Sequence, residues 1–200
     1  MKILGLDTSS PRISVAIADG EHILSKIEEI GNASTRLLPC IEKALKEADL
    51  KLDQIEAFGI GEGPGSYNGL RCGFATVQGF LLNQPRPVIQ INSLLAMLPA
   101  EKNGKEFSGV ILNARKQMFF FQKFNMGPDT PIILEEGMAS TVDEIPEIDS
   151  RDGSWYSYEI EGMTPAYPEA AEIARFAAMA LKTPDLKKKL GEPRYLRPPV

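Results

Sequence analysis

The 200-residue chain contains one histidine, His22, and two cysteines, Cys40 and Cys72. One histidine excludes any metal centre or metalloprotease motif that needs two within the chain. Two cysteines are too few for a disulfide framework or a four-thiolate zinc site, so both are expected as reduced, buried thiols. His22 follows the turn pair Asp19-Gly20 between two strand-like runs and is expected to face solvent, which leaves a Ser-His-Asp or Cys-His arrangement without its base. No apolar run approaches the ~18 residues of a membrane span, and the N-terminal run stops at Asp7, too short for a signal peptide. A cytoplasmic protein with no membrane partner is expected. Basic residues are also scarce, 22 against 27 acidic. With a net charge of −5 and a pI near 5.1, the chain as a whole is not a basic nucleic-acid grip, and any RNA work needs a partner.

What is present suffices for an ordinary globular core, since 43% of residues are apolar. Ile3–Asp7, Ile13–Asp19 and Glu21–Ile30 read as strands broken by Ser9-Ser10-Pro11 and Asp19-Gly20, an antiparallel meander. From Ser34 to Ala48, Leu37, Leu38, Ile41, Ala44, Leu45 and Ala48 recur at helical spacing, with Pro39 tolerable only near the first turns. A strand at Ile55–Ile60, a helix at Ser66–Leu82, a strand at Val88–Ile91 and a short helix at Ser93–Leu98 complete a β-β-β-α-β-α-β-α half. That order is the layout of the ribonuclease-H-like lobe of actin-like and sugar-kinase-like ATPases. The charged stretch Glu101–Glu106 reads as a link, dividing the chain into lobes 1–102 and 103–200, the second reduced. In the second lobe Val110–Leu112, Met118–Phe124, Pro131–Leu134 and Ser154–Ile160 read as strands and Ala170–Leu181 as a helix. Glu135–Glu172 holds eleven acidic residues against Arg151 alone, whereas Ile173–Val200 holds seven basic against two acidic. The split reads either as two solvated faces or as docking surfaces for an oppositely charged partner.

The strongest local signal runs from Gly59 to Gly73, with Gly61, Gly63, Pro64, Gly65, Ser66, Gly69 and Arg71 forming a glycine-rich strand-to-helix loop. Bare backbone amides and a helix N-terminus suit a phosphate, yet no Gly-Lys-Ser/Thr follows, so it is not a P-loop. The alternative is a tight turn with Ser66 as N-cap. Inside the helix, Gly69, Gly73 and Gly79 together cost ~2–3 kcal/mol relative to alanine, which close packing must offset. Gly69 and Gly73 share a face that admits another helix, from the same chain or from a second subunit.

These residues carry a resemblance. Leu6-Asp7-Thr8-Ser9, Ser34-Thr35-Arg36-Leu37-Leu38-Pro39 and the block Gly61–Gly73 are similar to the TsaB (YeaZ) family, accessory subunits of the tRNA threonylcarbamoyladenosine modification system; Asn113-Ala114-Arg115 and Tyr195-Leu196-Arg197 are weaker echoes. The chain departs from the family pattern at Ala33, Thr35, Tyr67, Asn68 and Asn113. The resemblance implies an actin-like ATPase fold without catalysis, with no catalytic residue and no metal. It implies pairing with a TsaD-like catalytic subunit, joined by a TsaE-like ATPase, with homodimerisation through the same helices as the other outcome and tRNA contacted only indirectly. The interface expected is Ser34, Arg36, Leu37, Leu38, Ile41, Leu45, Gly69, Leu70, Cys72, Gly73 and Thr76. Asp7, Thr8 and Ser9 mark a degenerate phosphate site, and a nucleotide is expected at most at the complex interface. The rival reading is an independent small-molecule kinase or ATPase that uses Asp7 for Mg²⁺ and the glycine loop for phosphate.

Overall fold

The structure is a computed structural model that describes residues 1–98, 107–114, 118–125, 132–145, 153–182 and 190–195. It forms two compact units, Met1–Ala96 with Pro168–Val200, and Met97–Tyr167.

In the first unit, β1 (Lys2–Asp7), β2 (Arg12–Asp19) and β3 (His22–Ile30) form the expected antiparallel meander. The β2–β3 turn passes through Gly20 at φ +63°, a left-handed conformation that favours glycine. His22 is exposed at the start of β3. Two further strands, β4 (Ala57–Gly61) and β5 (Val88–Ile91), add in parallel to give the order β3-β2-β1-β4-β5. Their crossovers are α1 (Ala33–Glu47) and α2 (Tyr67–Asn83). Asn32 caps α1 by accepting from the Ser34 amide at 3.0 Å, and Pro39 lies within the first two turns.

Alternation along the strands separates the two faces of this sheet. Leu4, Leu6, Ile13, Val15, Ile17, Phe58 and Ile60 point to the side where α1 and α2 lie, packing with Leu37, Ile41, Ala44, Phe74 and Val77. The opposite side sets the small residues Gly5, Ala18, Ala57 and Gly59 among Ile3, Ile89 and Ile91, and there α3 (Ala170–Leu181) lays down Ile173, Ala174 and Ala177. A Cβ on Gly59 would sit 3.0 Å from Ile173 Cγ2 and 3.1 Å from Ala177 Cβ. The buried Ser14 hydroxyl on β2 accepts from the Ala170 amide at 2.9 Å and so receives the start of α3. Lys26 and Arg12 hold Glu169 just ahead of it, at 2.9 and 3.8 Å. This corrects the sequence division at 102/103: α3 belongs to the first unit, because its alanine-rich face matches the small-residue face of the first sheet.

The second unit holds a five-stranded sheet in the order β10-β9-β6-β7-β8. Its strands are β6 (Phe107–Asn113), β7 (Phe119–Asn125), β8 (Ile132–Ala139), β9 (Gly153–Ser157) and β10 (Thr164–Pro165). Ile111, Phe121, Ala139 and Ile145 form a core with Trp155, whose ring meets Phe121 edge-on at 6.3 Å. The strands were expected shorter at β6 and β8, and the two-residue β10 carries too little pattern to be read. Pro131, the link Glu101–Glu106, Arg115, Leu196 and Arg197 lie outside the described residues.

The helix-on-sheet contact is testable at Gly5, where any Cβ would collide with the Ala170 carbonyl oxygen and lie 3.0 Å from Ala174 Cβ. Gly5→Val is expected to cost ~1–3 kcal/mol by overpacking and to lower the melting temperature by several degrees, at ~2–4 °C per kcal/mol for a chain of this size. An unchanged calorimetric melt would refute the packing.

Candidate functional site

The three parallel strands end together. Leu6 lies beside Ile60 and Gly61 beside Ile91, so the carboxyl ends of β1, β4 and β5 bring Asp7, Gly61 and Ser93 to one place. Such strand ends are where open α/β sheets put ligands. Here the space is filled by the chain itself. Asp7 is fully buried. Its Oδ1 accepts from the Ser9 amide at 2.8 Å and the Ser9 hydroxyl at 2.7 Å, and its Oδ2 accepts from the Ser93 hydroxyl at 2.6 Å. The Ser93 hydroxyl also accepts from the Gly63 amide at 3.0 Å, and the Ser93 amide donates to the Gly63 carbonyl at 2.9 Å. Any Cβ on Gly61 would overlap Asp7 Oδ2. Burial pushes the Asp7 carboxyl above its ordinary pKa, opposed by the donors on Ser93 and Ser9. Asp7 is therefore a clasp between β1, the loop after β4 and the residues after β5. These residues do not fit a magnesium nucleotide, because the carboxylate oxygens are buried and already committed to Ser9 and Ser93.

The glycine loop is shaped by the same close approach. Ser66 is the N-cap of α2, its hydroxyl accepting from the Gly69 amide at 3.3 Å, and its own amide donates to the Ser9 carbonyl at 2.6 Å. A Cβ at Gly65 would overlap the Ser9 carbonyl, and one at Gly69 the Thr8 carbonyl; one at Gly73 would lie 2.6 Å from Thr8 Oγ1. Thr8 Oγ1 in turn donates to the Gly69 carbonyl at 2.8 Å. Of the two alternatives for the loop, the tight capped turn is the one built here. The neighbour of the Gly69–Gly73 face is the turn after β1, which corrects the expectation of a helix there: the two glycines present no side chain to hold Thr8 away.

A terminal strap crosses the outside of the loop. The Arg194 amide donates to the Glu62 carbonyl at 2.6 Å, and Gly63, at φ +99°, leaves room for the Arg194 carbonyl. The Gln90 side chain accepts from the Gly191 amide at 2.5 Å and donates to the Glu192 carbonyl at 3.1 Å. Tyr195 lies 4.8 Å from Tyr67, whose hydroxyl accepts from Arg71 at 3.0 Å. Half-burial raises the Glu62 carboxyl pKa, against the pull of Arg194 and Gln90.

The expected interface residues divide by burial. Leu37, Ile41, Gly69, Leu70 and Gly73 are core residues. Leu45, Cys72 and Thr76 are half-buried, and Ser34, Arg36 and Leu38 are exposed, Leu38 by 57%. Arg36 pairs with Glu29 at 3.2 Å. Both cysteines are free thiols whose pKa burial raises. Sequence reasoning missed Ser93 and Gln90. Their only signal was position, just beyond and within a strand parallel to β1 and β4.

The fold is α/β with two mixed five-stranded sheets. The fold superposes on YeaZ from Pseudomonas aeruginosa with a TM-score of 0.76, at 23% identity over 90% of this chain and 92% of that one. A second structure, described as an uncharacterized protein with similarity to peptidase YEAZ from Pseudomonas aeruginosa, gives 0.81 at 22% identity over 98% and 99%. The chain belongs to the family of TsaD, the tRNA N6-adenosine threonylcarbamoyltransferase, whose profile matches residues 30–186. It is 34% identical over 128 residues to the tRNA threonylcarbamoyladenosine biosynthesis protein TsaB of Haemophilus influenzae, and 29% over 127 residues to that of Escherichia coli. Each match takes in 62% of this chain and 53% or 55% of the relative, so the chain spans about half the length of the curated relatives it matches. The resemblance to TsaB read from the sequence is thereby shown.

Two predictions follow from the clasp and its glycines. Because the folded pKa of Asp7 lies above the unfolded value of 3.8, protonation favours the folded state. Its contribution is complete below that value and is lost as pH rises through the folded pKa. The melting temperature of the wild type minus that of Asp7→Asn should therefore fall as pH rises from about 4 to 7; a rising difference would mean the carboxylate is stabilised rather than desolvated. The glycines of α2 should separate by position. Gly69→Ala should lower the melt by several degrees through collision with Thr8. Gly79→Ala, whose Cβ meets nothing within 4 Å, should raise it by roughly 2–4 °C through helix propensity worth up to ~1 kcal/mol.

Proposed function

We propose that this chain is a non-catalytic subunit in tRNA threonylcarbamoyladenosine biosynthesis, which activates a TsaD-like catalytic subunit by docking α1 and α2 against it. The observation that carries this reading is the closed clasp at Asp7. In a member of a transferase family, the deep acidic position at the strand ends is spent on the chain's own Ser9 and Ser93. Among the described residues no group of three or more His, Cys, Asp or Glu side chains could hold a metal ion. His22 stands exposed at a strand start, which argues against peptidase chemistry.

The docking surface of this proposal is narrower than the sequence alone implied. It is led by Ser34, Arg36 and Leu38, with Leu45, Cys72 and Thr76 at its half-buried margin. Leu37, Ile41, Gly69, Leu70 and Gly73 support it from beneath. A TsaE-like ATPase is the third component, tRNA is held through the partners because the chain carries net charge −5, and homodimerisation would use the same helices. Division of the chain into a docking unit and a smaller second unit follows the structural division rather than residue 102.

Leu38→Glu is the direct test. Placing a negative charge at Leu38, an exposed apolar residue of that surface, should weaken association with a TsaD-like subunit by tenfold or more, about 1.4 kcal/mol or above, while the melt stays unchanged because Leu38 is exposed. Ultracentrifugation of the mixed proteins reads the first and calorimetry the second. Unaltered association would remove α1 from the interface. Micromolar binding and turnover of Mg-ATP by the isolated chain would favour the independent kinase reading instead.

A further inference from the structure

The second sheet ends on β8, and among the described residues nothing pairs with the outer side of its backbone. Ile132–Ala139 runs antiparallel to β7 from Ile132 opposite Asn125 to Ala139 opposite Phe119, with Leu134 as the extra residue where the register shifts. Edge strands are ordinarily blunted by shortness, charged side chains (lysine above all), proline, a bulge or a covering element. β3, at the edge of the other sheet, follows that rule: Lys26 and Glu28 are drawn into ion pairs and α1 packs beside it. β8 is eight residues long with neither lysine nor proline, and its bulge at Leu134 and its glutamates, Glu135 and Glu136, leave the stretch Glu135–Ala139 in regular register and charged with one sign. Ile133, Leu134 and Met138 on it are 40%, 50% and 41% exposed.

Charge selects what such an edge can receive. The second unit, residues 97–167, has twelve acidic and six basic residues, whereas the rest of the chain has fifteen and sixteen. From 132 to 145 there are four carboxylates, Glu135, Glu136, Asp143 and Glu144, and no basic residue. Ile133, Glu136 and Met138 share one face of the sheet, in register with Phe124, Gln122 and Phe120. Glu136 accepts from Gln122 at 2.6 Å, which holds its carboxylate on that face.

We propose that β8 is a docking edge for an extended, basic segment of a partner protein. The segment adds as a sixth strand, with apolar residues against Ile133 and Met138 and a lysine or arginine opposite Glu136. Main-chain hydrogen bonds along the edge give affinity, and the alternate side chains give specificity. Pairing of two copies through an antiparallel β8 centred on its acidic pair would set Glu135 and Glu136 against their equivalents, an unfavourable like-charge arrangement. The same charges repel a nucleic-acid backbone.

The test titrates the full chain with a fluorescein-labelled peptide of alternating Val and Lys, matched to β8 in length, and follows anisotropy. Saturable binding is expected. Met138→Lys and Glu136→Lys should each weaken it about tenfold or more, their melts showing that each variant is folded. A Val-Glu peptide, and a Val-Lys peptide interrupted by prolines, should not bind, while Leu38→Glu should bind as the wild type does, so this outcome is independent of the α1–α2 proposal. The inference is overturned if the proline-interrupted peptide binds equally, since attraction would then be charge without strand pairing, or if both β8 variants retain full affinity. It is also overturned if ultracentrifugation shows a wild-type dimer that Met138→Lys dissolves, for then the edge belongs to a second copy.

Discussion

The approach of the turn after β1 to the loop and helix after β4 is the constraint on which the first unit depends. Carbonyls of Thr8 and Ser9 press against positions 69 and 65, where a Cβ would overlap them, and the Asp7 carboxylate presses against position 61 in the same way. A side chain at any of the three would push α2 away from β1 and strip donors from Asp7. The local cost of glycine within α2 is thus offset by hydrogen bonds that only glycine permits: Thr8 to Gly69, and Ser66 to Ser9. Once α2 is seated, its other side chains close the core with α1, and the exposed face of α1 is held at a defined orientation.

Much of this was legible in the sequence. Strand alternation from Ile3 to Ile30, helical spacing from Leu37 to Ala48 and the glycine block each report short-range physics, and each stands within a few residues of where it was placed. The errors share a different cause. Gly69 and Gly73 announce a close neighbour without naming it, and only the three-dimensional return of β1 identifies Thr8. By sequence position alone α3 goes with the second unit, whose sheet it follows in the chain. Its alanine face fits Gly5, Ala18, Ala57 and Gly59, residues more than a hundred positions earlier. Ser93 carries no motif at all; its role arises because β5 lies parallel to β4 and ends beside Asp7.

The clasp also bears on what the strand ends of this chain can receive. The strand ends in this chain retain an acidic residue and a glycine-rich turn, the two elements from which a phosphate site is made. Their geometry turns them inward. Buried at the junction of three segments, the Asp7 carboxyl carries a desolvation cost that the three hydrogen bonds it accepts offset only in part, which ties its stability to how completely those bonds are satisfied. A cation would have to displace Ser93 or Ser9 from the carboxyl oxygens and leave their hydroxyls unpaired, and an anion would have to draw those donors away from Asp7 beside a buried acidic group; weak binding offsets neither cost.

Charge is distributed between the units on a different principle. The first unit is near neutrality and spends its ion pairs on assembly: Arg12, Lys26, Glu28 and Glu169 tie β2, β3 and the start of α3 together. The second unit carries an excess of six acidic residues, and Glu144, for one, is satisfied locally by Ser140. Charges that are not consumed by the fold act at a distance, raising encounter rates with basic partners and lowering them with nucleic acid. The two units therefore differ in surface chemistry: the exposed face of α1 mixes Ser34, Arg36 and Leu38, whereas the strand edge of the second unit carries Glu135 and Glu136 with no basic residue.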